Sequence, residues 1–100
     1  MKFFMIAASS PTPEQRNAIT FIFRDKPEFG FWHWTPDFWL INTITDSYTS
    51  ASIRDAVRDT VPGLFFAVFA VNPVPDDWAM WSDKTWAEWV QKNWPSIPKL

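Results

Sequence analysis

Cysteine is absent from these 100 residues. That excludes disulfides and thiolate metal sites and fits a reducing, cytoplasmic setting. Glycine occurs only twice, at Gly30 and Gly63, each alone, so no glycine-rich phosphate loop exists. Histidine occurs once, as His33, whereas zinc needs clustered histidine, cysteine or carboxylate ligands. Basic charge is also scarce: nine Lys and Arg face eleven Asp and Glu, net −2, which argues against a life on nucleic-acid phosphates. The longest uninterrupted apolar run, Leu64 to Val71, is far short of the ~20 residues a bilayer span needs. Phe3-Phe4-Met5-Ile6-Ala7-Ala8 after one lysine has the look of a short export core. The helix pattern that follows uses it instead as a first strand.

Aromatics are what the chain has in excess: eight tryptophans, ten phenylalanines and one tyrosine, 19% of all residues. The length fits one domain, with a core over 1–73 and a tryptophan-rich helical tail over 76–100. Lys2 to Ala8 reads as a doubly buried strand. Thr12-Pro13-Glu14-Gln15 reads as a helix start, in which threonine caps, proline takes the first helical position and glutamine reaches back. Ala18, Ile19, Ile22 and Phe23 follow at helical spacing to about Arg24. Ile19, Phe21 and Phe23 also alternate as a strand would, and the cap decides for the helix.

Gly30 to Trp34 and Phe38 to Thr43 are strand-like runs joined by the turn Thr35-Pro36-Asp37, the strongest local signal in the chain. A second helix opens near Tyr48-Thr49-Ser50, with Ile53, Ala56, Val57 and Val61 on one stripe. Arg54, Asp55, Arg58 and Asp59 lie opposite, and Pro62-Gly63 stops it. Leu64 to Val71, with no polar side chain, reads as a central strand. Asn72 to Asp77 reads as a loop. Ser82 or Asp83 then caps a last helix with Trp86, Trp89 and Val90 on one face, and Lys84, Glu88 and Lys92 can pair along its side. Pro95 ends it. The order is β-α-β-β-α-β plus a terminal helix, the α+β ferredoxin-like plan: an antiparallel sheet with two helices on one face.

Alternation along the strands divides the aromatics between both faces of that sheet. Phe31 and His33 fall on one side and Trp32 and Trp34 on the other; Phe38 and Trp39 divide likewise, as do Phe65 and Phe66. Two helices can shield only one side. Three or four aromatics left open, at about 150–250 Å² each, exceed the ~300–600 Å² patch that a soluble monomer normally shows. The candidates to cover them are the tail from Trp78 onward, a second copy of the chain, or another protein. Trp32, Trp34, Trp39, Trp78 and Trp81 are the expected partner-binding anchors, because buried tryptophans dominate interface energies.

The residues Trp32-His33-Trp34, Trp39-Leu40-Ile41, Ile53-Arg54-Asp55 and Trp78-Ala79-Met80-Trp81 carry a resemblance. Over roughly residues 30 to 94 the chain resembles the SinR-type family of small bacterial and phage proteins, associated with the fold of the small CRISPR adaptation subunit. The resemblance implies a ferredoxin-like domain, often dimeric, from a bacterium or phage. In that wider group, members suspected of cutting nucleic acid carry an aspartate at the end of the first strand. Here the strand ends Ile6-Ala7-Ala8-Ser9-Ser10, with no carboxylate.

The remaining chemistry is sparse. A Ser-His-Asp assembly on His33 is formally open, but the serines flank helices, where capping explains them; His33 reads as a sheet histidine hydrogen-bonded at the edge of the aromatic cluster. Asp76-Asp77 reads as a solvated turn rather than a cation site. Aromatic strands can stack bases, yet Arg54 and Arg58 alternate with Asp55 and Asp59 and form no basic funnel. An aromatic pocket for a small ligand has no placed polar group behind it. The expectation is a non-catalytic interaction protein without cofactor or metal, homodimeric, with inhibition of a host defence complex as one use. A divergent nuclease or RNA-binding protein of the same fold is the alternative.

Overall fold

The first helix forms where its cap is written. In the computed structural model, which describes residues 2–24, 26–33, 35–72 and 84–93, Thr12 Oγ1 accepts from the Gln15 amide at 3.1 Å. Gln15 Oε1 accepts in return from the Thr12 amide at 2.9 Å. This reciprocal box satisfies donors that the first turn would otherwise leave open. Helix α1 runs Pro13–Phe23. Ile19 and Phe23 are buried while Phe21 stands 64% exposed, an arrangement that a strand through these residues would not give.

The second helix, α2 (Ser50–Thr60), repeats the device with Thr49 and Ser52. It buries Ile53 and Val57 and leaves Ala56 outside the stripe. The opposite side is self-neutralised: Asp55 accepts from Arg54 at 2.8 Å and from Arg58 at 3.2 Å, and Arg58 also reaches Asp59 at 3.2 Å.

Four strands, β1 (Lys2–Ala8), β2 (Phe29–Trp32), β3 (Phe38–Thr43) and β4 (Phe66–Val71), form one antiparallel sheet in the order β2-β3-β1-β4. The hairpin β2-β3 joins as expected, with β2 running from Phe29 to Trp32. The main core lies between the sheet and the two helices. Phe4, Ile6, Ala8, Trp39 and Ile41 from the sheet meet Ile19, Phe23, Ile53 and Val57 from the helices.

One expectation is corrected. Leu64 to Val71 is not a central strand: among the described strands β4 pairs with β1 alone and lies at an edge of the sheet. Its apolar residues serve the helix side, where Phe66 and Val68 are partly buried, whereas Ala67, Phe69 and Ala70 are exposed. A continuous apolar run shows that side chains are greasy, not how many neighbours the strand has. A third helix, α3, spans Lys84–Asn93, with Lys84 and Glu88 paired at 3.6 Å along its side. No described helix is long and apolar enough to cross a membrane.

Candidate interaction surface

Strand register sorts the expected anchors. Trp32 pairs with Leu40 in the hairpin, and both point away from α1 and α2. Around buried Leu40 on this far side gather Phe3, Met5, Trp32, Phe38 and Val71, joined by Trp89 of α3. The Trp32 and Trp89 rings lie 5.8 Å apart, inclined at 34°. The third helix therefore seats on the far side at its β2 end. At the β4 end Ala7 and Ala67 are exposed and Phe69 is 52% exposed.

Trp39 does not belong to this surface. It is wholly buried on the helix side, and its indole Nε1 donates to Thr20 Oγ1 of α1 at 3.2 Å. As an anchor for a partner it is corrected to a core residue, because the pairing Ile6↔Trp39 puts it on the same side as Ile6. Trp34, Trp78 and Trp81, the other expected anchors, lie outside the described residues, as do Asp76-Asp77 and the caps Ser82 and Asp83.

Two phenylalanines escaped the sequence reading as surface groups. Phe65, just before β4, is 84% exposed, and Phe69 is the aromatic at the open end of the far side. Their period-two spacing with Ala67 marks them as one face. Among the described residues α3 seats at the β2 end and leaves that face open at β4.

His33 sits at the rim of the main core, stacked on Trp39 with ring centroids 4.2 Å apart and planes 10° from parallel. Its Nδ1 lies 3.1 Å from the Phe38 carbonyl. A carbonyl only accepts, so Nδ1 carries the proton. Burial pushes the imidazole below its ordinary pKa; the Phe38 hydrogen bond opposes this, Arg16 adds to it and Asp37 works against it. Among the described residues, no group of three or more His, Asp or Glu comes together in a way that could hold a metal ion. An open groove of about 490 Å³ lies between β1, β4 and the start of α2, lined by Phe4, Ser50, Ala70 and Val71 among others.

No protein-family model, curated protein or solved structure matches this chain.

Proposed function

We propose that the chain is a ferredoxin-like, non-catalytic protein-protein interaction protein. It works as a homodimer and presents the far side of its sheet to a protein partner. The strand order β2-β3-β1-β4 with two helices on one side supports the ferredoxin-like assignment, which is also what the SinR-type resemblance implies. The observation that carries the functional reading is the far side itself. Phe3, Met5, Trp32, Phe38, Leu40 and Val71 build an apolar layer, yet at the β4 end Phe69 remains half exposed. Aromatic surface left in water at the end of an apolar layer is the composition of an interface core. Inhibition of a host defence complex is one use of such a surface.

The chemistry at hand supports a binding role over nuclease or RNA-binding work. Arg54 and Arg58 are committed to carboxylates on their own helix, and β1 ends without a carboxylate. Sedimentation equilibrium on the purified chain tests the homodimer; a lone 11.7 kDa species at every concentration removes it. Titration of defence complexes from a candidate host with the native chain and with Met5→Glu tests the docking side. Binding weakened by Met5→Glu supports the reading. Salt-sensitive RNA binding or metal-stimulated cleavage would replace it with the nuclease alternative.

A further inference from the structure

The hydrogen-bond pattern of β4 shows which of its backbone groups face β1 and which face away from it. The Ser9 amide donates to the Phe65 carbonyl at 2.8 Å, and the register continues Ala7↔Ala67, Met5↔Phe69 and Phe3↔Val71. In an antiparallel ladder the bonded pairs alternate with unbonded ones. The odd-numbered residues of β4 therefore bond to β1, and the N–H and C=O groups of Phe66, Val68 and Ala70 point outward from the sheet edge. Within β4 itself there is no charged residue, proline or bulge, the devices that natural edge strands usually carry; Arg54 of α2 lies beside Phe66 and Val68.

We propose that two copies of the chain join along this edge, β4 to β4, antiparallel about a two-fold axis through Val68. The proposal rests on the homodimer reading above and names the element that makes the contact. Three features of the strand select a second copy as the occupant. The first is size complementarity. With the axis at Val68, Phe66 faces the other copy's Ala70, Phe69 faces its Ala67, and Phe65 faces its Val71, so each large ring opposes a smaller side chain across the junction. The groove beside Ala70 and Ser50 gives the opposed Phe66 ring room.

The second feature is bond count. Centring on Val68 gives every outward group of Phe66, Val68 and Ala70 a partner. Moving the axis by one residue leaves an outward residue of the strand unmatched, and centring on Phe69 sets two phenylalanines against each other. The third is charge. The strand itself has no ionisable side chain, and the cation beside it, Arg54, is paired with Asp55 at 2.8 Å, which lowers the charge that two copies bring to the contact.

Area sets the strength. Phe65 and Phe69 are 84% and 52% exposed; at about 200 Å² per aromatic residue they supply roughly 270 Å² per copy. Standard interfaces bury about 800 Å² per partner. An edge this small fits a weak, reversible dimer rather than an obligate one.

Sedimentation and amide exchange on the full chain test the junction. The expected result is a monomer-dimer equilibrium in which the amides of Phe66, Val68 and Ala70 gain protection as concentration rises. Val68→Pro removes an outward donor and no bond to β1, and weakens dimerisation by about tenfold or more, since each copy loses a ladder bond. Ala70→Lys sets an edge lysine opposite Phe66 at an exposed position and does the same; it decides the matter if the proline variant fails to fold. Dimers unchanged by Ala70→Lys, with no concentration-dependent protection at Phe66, Val68 and Ala70, overturn the edge contact and leave a homodimer through the far side. A chain that stays monomeric throughout overturns the edge contact and the homodimer together.

Discussion

His33 lies flat on Trp39, ring centroids 4.2 Å apart and planes 10° from parallel, while its Nδ1 donates to the Phe38 carbonyl. The neutral ring keeps both contacts, but a second proton would have to be carried partly out of water. Burial accordingly lowers the folded pKa below 6.5, the ordinary value that the unfolded chain retains.

Between those two values the unfolded chain binds more protons than the folded one, so stability falls as pH drops. The His33 contribution is fully present above about pH 6.5. It is lost progressively as pH falls towards the folded pKa and is constant below that. His33→Phe keeps a ring on Trp39 and removes the titration. Urea melts from pH 7.5 to 5 are expected to show a slope for the native chain that the variant lacks over this window. Equal slopes would mean that the imidazole is not desolvated where it stacks.

Trp39 joins the two layers through one hydrogen bond and a large buried area. Trp39→Ala is expected to cost about 3–5 kcal/mol, as for large aromatics removed from a core. Thr20→Val leaves the buried indole N–H without its acceptor, at about 1–3 kcal/mol. Denaturant midpoints at unchanged m-value check both. A Thr20→Val loss near zero would show that water replaces the hydroxyl.

These two residues also show what the sequence could and could not say. The Thr12 cap, the Pro36-Asp37 turn and the alternation in β3 are local chemistry that neighbouring residues spell out, whereas the α2 start shows as a Ser/Thr-rich stretch without singling out Thr49 as its cap. That Trp39 lies on the helix side and Trp32 on the far side depends on which alternating set faces the helices. Alternation yields two sets without labelling either. The label comes from tertiary pairing, here Ile6↔Trp39 and Trp32↔Leu40. The edge position of β4 is not written in its own residues: hydrophobicity reports burial per side chain, whereas strand order is set by connections that span most of the chain. Phe65 and Phe69 were thereby missed as exposed groups.

Gly30 faces Asn42 across the hairpin. A Cβ built there would collide with Asn42 Oδ1, and Asn42 is only 7% exposed. Gly30→Ala must push a buried amide aside, at about 1–3 kcal/mol. Gly63 meets nothing within 4 Å and has no positive φ. Gly63→Ala is therefore expected to be neutral or slightly stabilising, through a stiffer unfolded chain. Melting both variants side by side checks the contrast; equal effects would contradict the crowding at Asn42.

The seat of α3 rests on the contact between Trp32 and Trp89, 5.8 Å apart and tilted at 34°. Aromatic pairs at this separation contribute about 0.5–1.5 kcal/mol beyond the area they bury. A double-mutant cycle with Trp32→Ala, Trp89→Ala and the pair isolates that coupling, since each single change removes the same contact. The expected coupling lies in that range. Trp89→Ala alone is also expected to raise quenching of the indole fluorescence by acrylamide, because Trp32 loses its cover. A coupling of zero with unchanged quenching would mean that α3 does not shield Trp32. The far side would then lie open from β2 to β4, and the area offered to a partner would grow accordingly.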